Sequence, residues 1–175
     1  KAHAAAYMIA ALRLAWYKVH TPVEFYAAYF TVRSTDFDGV TACKGHEAVR
    51  RKMKEIDLKM KNREASPKEA SEFDTLQQIN EMMARGVQLL PVDLYQSHAT
   101  QFKVEEGKIR LPFSSLGGVG EAAAASLWEA ASDGEEYISV EDLQSRSKVS
   151  SAVMDILREV GALSALPESS QVTLF

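Results

Sequence analysis

Apolar positions recur at three- and four-residue steps from the start of the chain: Ala4, Tyr7, Met8, Ala11, Leu12, Ala15, Trp16 and Val19. That spacing, with abundant alanine, predicts a helix carrying an apolar stripe, with Tyr7 either in the core, the favoured reading, or lining a pocket with His3 one turn before it. Thr21-Pro22 ends it, because proline cannot continue a helix and restricts the residue before it. Pro22 in turn suits the first turn of a second helix over about 23–32. This one is apolar nearly all round (Phe25, Tyr26, Ala27, Ala28, Tyr29, Phe30), a pattern that predicts burial. A loop over 34–39 leads to a long basic helix over about 45–62, with Val49, Met53, Ile56 and Met60 on one stripe. Ser66-Pro67 opens the next helix, with Ser66 as N-cap, Pro67 in the first position and Glu69 at the capping-box position. Gly86 closes it after Ala84-Arg85. The texture then changes. Residues 87–90, 101–104 and 108–111 are short and β-like, the last two joined as a hairpin by Glu105-Glu106-Gly107. Short helices over about 119–131, 140–145 and 151–160 follow, with no long-period repeat. The fold expected is mainly α with a small β component.

Composition narrows the setting. At 175 residues, with 46% hydrophobic and 25% charged, the chain suits one compact domain or two small ones. No apolar run approaches the ~20 residues of a membrane span, and Lys1-Ala2-His3-Ala4-Ala5-Ala6 is no secretory leader. A lone Cys43 excludes an internal disulfide and cannot build a zinc site by itself. A cytoplasmic location without a membrane partner is therefore expected, and the absence of Met at position 1 points to a piece of a longer protein. The net charge of −4 hides a strong polarity. Residues 44–63 hold eight Lys/Arg against three acids, whereas residues 120–175 hold three against ten. Such a chain is not uniformly wrapped in nucleic acid, but a basic band on an acidic body is compatible with local contact.

Candidate chemistry concentrates at two turns. Leu116-Gly117-Gly118-Val119-Gly120 leads into Glu121-Ala122-Ala123-Ala124-Ala125. Glycines permit positive φ and close approach, and the free N–H groups of the helix start favour an anion. Gly118, Val119 and Gly120 therefore resemble the hairpin of a helix-hairpin-helix module, which holds a nucleic-acid backbone without reading bases. A purely structural turn is the other reading. Lys148-Val149-Ser150 repeats the turn-then-helix shape without glycine, so its DNA contact stays open, and Glu121 would oppose a phosphate. Lys1 and His3 begin the first helix, where an anion is favoured, or are simply solvated. Arg50, Arg51, Lys52, Lys54, Lys59 and Lys61 face either a phosphate backbone or water. No catalytic triad is present and the histidines lack metal spacing; Asp36 and Asp38 share a loop and make a poor two-metal site. Neither catalytic nor metal-binding residues are assigned. The last residues, Gln171-Val172-Thr173-Leu174-Phe175, follow a Pro/Ser stretch and offer two large apolar side chains to a partner, unless they fray or dock back. Their pattern, Gln-x-[Ser/Thr/Asp]-Leu-Phe, resembles the peptide by which bacterial polymerases attach to the sliding clamp.

The whole chain resembles the C-terminal part of C-family bacterial replicative DNA polymerases of the PolC type. The residues that carry this are Lys1-Ala2-His3-Ala4-Ala5-Ala6-Tyr7, Tyr26-Ala27-Ala28-Tyr29-Phe30-Thr31-Val32-Arg33, Asp36-Phe37-Asp38, and Val92-Asp93-Leu94-Tyr95 with Ser97 and Phe102. Leu111-Pro112-Phe113, Gly118-Val119-Gly120, Glu141-Asp142-Leu143-Gln144 and the final Leu-Phe complete the series. The resemblance implies a helical fingers segment over 1–90, with Lys1 and His3 near the triphosphate of an incoming deoxynucleoside triphosphate. It implies a tandem helix-hairpin-helix module over 91–165 holding the primer-template duplex, and an extended tail over 166–175 whose residues 171–175 bind the β sliding clamp. Other replisome subunits are implied as partners. Mg²⁺ is implied for the whole enzyme, with ligands on palm carboxylates outside this chain, so the fragment alone is expected to be inactive. Thr173 stands where serine is usual and Val172 where leucine is, which implies altered clamp affinity. The alternative is a standalone nucleic-acid-binding adaptor with a docking tail.

Overall fold

A computed structural model of the chain describes residues 2–33 and 36–169. Eight α-helices, a three-stranded sheet and one 3-10 turn make up these residues. The N-terminal half is α1 (Ala2–His20), α2 (Pro22–Arg33), α3 (Gly39–Cys43), α4 (His46–Lys61) and α5 (Pro67–Ala84). Local chemistry sets their limits. Ser66 Oγ accepts from the Glu69 N–H at 3.2 Å while the Glu69 carboxylate accepts from the Ser66 N–H at 2.8 Å, so both halves of the capping box are formed. Hydrogen bonding from the Lys59 ammonium, then from Ser66, holds the Glu69 carboxyl down at about 2. Helices α4 and α5 form an antiparallel pair, burying Val49 and Ile56 against Leu76, Ile79 and Met82. Met60, expected on the same stripe, is exposed because it lies in the last turn beyond this contact.

The first helix departs from expectation. It forms, but Tyr7, Leu12 and Trp16 are 66, 64 and 54% exposed, so among the described residues no layer covers the apolar stripe. Helix α1 meets α2 at the Thr21-Pro22 corner and is anchored by its last turns alone. There Lys18 Nζ donates to Glu81 at 2.6 Å and lies over the rings of Phe25 and Tyr26. Helix α2 buries one face (Tyr26, Ala27, Phe30) rather than its whole circumference; Val32 is open to solvent.

The sheet comprises β1 (Leu89–Leu90), β2 (Lys103–Glu105) and β3 (Lys108–Arg110) in the order β1-β3-β2. Strand β3 pairs parallel to β1 and antiparallel to β2, with Glu105 opposite Lys108. Glu106 and Gly107, both at positive φ (50° and 75°), form the two-residue loop that hairpins favour. The sheet is tied to α2 through three phenylalanines. Phe30, Phe37 and Phe102 place their ring centroids 4.8–5.6 Å apart, and the Phe102 N–H donates to Thr31 Oγ1 at 3.0 Å. One apolar core thus runs from α2 through the sheet into the C-terminal helices.

Beyond the sheet come the 3-10 turn (Phe113–Ser115), α6 (Glu121–Ala131), α7 (Val140–Ser147) and α8 (Ser151–Glu159). Residues 166–169 do not hang free. The Val140 and Glu141 N–H groups donate to the carbonyls of Pro167 and Glu168, and Arg158 grips the Glu168 carboxylate with two nitrogens at 3.2 and 2.8 Å. Residues 171–175 lie outside the described residues, as does Lys1. No described helix is long and apolar enough to cross a membrane.

Candidate nucleic-acid interface

Each of the two turns singled out in the sequence opens a helix, and their backbones match position by position. Gly118 has φ 91°, and Lys148, 30 positions on, occupies the same left-handed region at φ 55°. Val119 and Val149 both point into the core. Gly120 (φ −70°, ψ 161°) and Ser150 (φ −69°, ψ 157°) are the N-caps of α6 and α8. Within the two helices the core positions correspond at the same offset of 30: Ala124 with Met154 and Leu127 with Leu157, all buried. A repeat that the residue identities conceal is therefore plain in the backbone.

The two turns differ in chemistry. Gly120 brings no side chain, so α6 has no side-chain cap and its first-turn N–H groups stay available to an external anion. Ser150 Oγ instead accepts from the Val153 N–H at 3.4 Å, so α8 is capped from within. Gly118 is needed twice over. Its φ disfavours any Cβ, and a Cβ there would stand 2.8 Å from Ile156 Cδ1 of α8. Gly117, Gly118 and Gly120 are exposed around the buried Val119. On one side of the turn a groove of about 490 Å³ is lined by Thr31, Thr100, Ser114, Gly120 and Glu121 among others. The Glu121 carboxylate sits at its edge and weakens any grip on phosphate.

The loop before β2 positions this turn. His98 Nδ1 accepts from the N–H groups of Thr100 and Gln101, both at 3.1 Å, and its ring lies 4.6 Å from Trp128 of α6. Burial, with the nearby Lys103 ammonium, pushes the His98 pKa down, which suits a ring that must stay neutral to accept. Its carbonyl and that of Ala99 take the Phe113 and Ser114 N–H groups, fixing the 3-10 turn ahead of Gly117. From the other side, Gly39 of α3 packs onto the same turn. A Cβ at Gly39 would come 2.6 Å from the Ser115 carbonyl oxygen. Sequence reasoning missed both supports: His98 is one of four scattered histidines, and nothing local marks Gly39 as a close approach.

The remaining candidates are dispersed. His3 is exposed on the first turn of α1, edge-on to Tyr7 at 4.5 Å, and Tyr7 is exposed rather than core. Asp36 accepts from Ser71 Oγ at 2.6 Å and Asp38 caps α3 through the Thr41 N–H at 2.9 Å, so both serve local structure. Among the described residues no cluster of His, Cys, Asp or Glu is arranged to hold a metal ion.

Two turns of matching backbone, each leading a short helix, the first lying against Ile156 of the second helix, define a helix-hairpin-helix module. Residues 86–172 match the family model described as the helix-hairpin-helix motif. The relationship reaches farther: over all 175 residues the chain is a close homologue of segments of proteins named DNA polymerase III PolC-type. It is 48% identical to that of Halalkalibacterium halodurans, 47% to that of Clostridium perfringens and 43% to that of Streptococcus suis. In each comparison the whole of this chain aligns, and it spans about 12% of the relative's length.

Proposed function

We propose that this chain is the part of a bacterial replicative DNA polymerase that holds product duplex behind the site of synthesis. The observation that carries this reading is the uncapped first hairpin: an exposed glycine turn delivers free N–H groups at the start of α6. Homology along the whole chain supports the polymerase setting over a standalone adaptor. Contacts of this kind engage the phosphate backbone, so binding is weak, falls with salt and ignores sequence. The test is Gly120→Asp. The N-cap geometry accepts Asp and nothing lies within 4 Å of the added Cβ, so the variant folds. Its carboxylate then occupies the position meant for phosphate, and duplex affinity is expected to drop by roughly tenfold. Fluorescence anisotropy at low salt measures this; a folded variant that binds as the wild type sinks the hairpin reading.

The finer roles belong to the same proposal. Residues 1–90 act as the end of the fingers, 91–165 as the duplex holder and 166–175 as the tail. Lys1 and His3 contact the triphosphate of the incoming deoxynucleotide, and His3→Ala in the full-length enzyme is expected to raise KM for nucleotide several-fold with duplex affinity unchanged. An unaltered KM would remove His3 from the site. Mg²⁺ is held by carboxylates of the longer polypeptide, where it supplies charge neutralisation for phosphoryl transfer. Residues 171–175 attach the enzyme to the β sliding clamp, next to other replisome subunits. Clamp binding by the full chain, compared with one truncated after Ser170, tests this: the truncated form is expected to lose binding, and equal binding refutes it.

A further inference from the structure

Helix α4 carries six basic side chains, and the structure sorts them into two sets. Lys52 faces Glu72 at 3.8 Å, Lys59 is held by Glu69 at 2.8 Å and Glu55 at 3.1 Å, and Lys61 is held by Asp57 at 2.6 Å. Arg51 and Lys54 have no ion pair among the described residues, and Arg50 has only a loose approach to Glu47 at 3.8 Å. All three of these are exposed. They do not scatter around the helix. Positions 50, 51 and 54 share one face, and together with Met53, Glu47 and Asn80 of α5 they line a cleft of about 580 Å³. Three cations against one carboxylate give the cleft a local charge of about +2 on a chain whose net charge is −4. Asn80 adds a donor: its Oδ1 is engaged by His46 Nε2 at 2.8 Å, which leaves the amide nitrogen for a ligand.

We propose that this α4–α5 cleft is a second nucleic-acid contact, in which Arg50, Arg51 and Lys54 grip a phosphate backbone at a place separate from the hairpin. Guanidinium groups suit phosphate oxygens bidentately, while the lysine adds a point charge. No aromatic ring lines the cleft, so it offers bases no stacking platform and reads no sequence. The inference rests on the reading of the chain as a nucleic-acid holder but uses none of the hairpin's residues.

The experiment compares the 175-residue chain with the triple variant Arg50→Gln/Arg51→Gln/Lys54→Gln, using labelled single-stranded DNA and the matching duplex over a series of salt concentrations. Loss of two to three phosphate contacts is expected to flatten the plot of log affinity against log salt by about two units, and to weaken binding at low salt at least about fivefold. Circular dichroism should be unchanged, since the three side chains are exposed. A loss confined to the single strand assigns the cleft to unpaired template; a loss with duplex assigns it to product. Arg50→Lys/Arg51→Lys/Lys54→Arg should restore most of the slope. A control, Lys52→Gln/Lys59→Gln, removes two paired cations and should leave the slope alone. An unaltered slope in the triple variant with both DNAs overturns the proposal, as does an equal effect of the control. Gly120→Asp, measured in parallel, reports on the hairpin alone, so failure of one site is distinguishable from failure of the other.

Discussion

At residue 120 a single missing side chain separates two turns of the same shape. Serine at the equivalent position, Ser150, spends its hydroxyl on the helix it starts, while glycine leaves that helix start open. Stability and function are therefore opposed here. Gly120→Asp should keep or raise thermal stability, by about 0.3–1 kcal/mol, because a carboxylate both caps the helix and meets its dipole. Scanning calorimetry beside the anisotropy measurement checks the pairing: higher Tm with weaker DNA binding. On the proposed function, a capping residue here would stabilise this module and weaken its grip on DNA. Lys148 shows the converse accommodation. It holds a left-handed conformation that glycine adopts freely, and its exposed ammonium lies beside the second turn.

At the level of elements, what the sequence made legible was what local chemistry dictates. The capping box at Ser66, the Pro22 corner, the hairpin at Glu106-Gly107 and the glycine turn at 117–120 all stand where residue types alone place them. The short helix α3 was missed, because five residues are too few to show a period. The repeat of two turns was read from the turn-then-helix shape, while the shared left-handed backbone of glycine at 118 and lysine at 148 was not, because the two residues have no chemistry in common. Packing between distant elements is the larger gap. The approach of Gly39 to the Ser115 carbonyl is long-range and leaves no trace in periodicity. Gly39→Ala should push α3 off the 3-10 turn and destabilise the chain by about 1–3 kcal/mol. Urea unfolding measures this, and a cost below about 0.5 kcal/mol would mean that the turn yields without resistance.

Across the whole molecule, charge and apolar surface are segregated. Three exposed cations of α4 line one cleft, the C-terminal helices are acidic, and the apolar stripe of α1 is exposed. The pattern of α1 was read correctly as helix, but the preference for Tyr7 as core was wrong, since periodicity reports that a face is apolar but not what covers it. The chain spans about 12% of its relatives' length. The phenylalanine cluster at Phe30, Phe37 and Phe102 meanwhile joins α2 to the sheet and so to the hairpins. The hairpins are thus carried on a body continuous with α2.

The pairing of Pro167 and Glu168 with the start of α7 also sets a leash. Because the chain is pinned through residue 169, residues 170–175 are all that would separate this body from a partner that grasps Leu174 and Phe175. Six residues reach at most about 20 Å. On the proposed function, a ring caught by that end would ride within about 20 Å of α7.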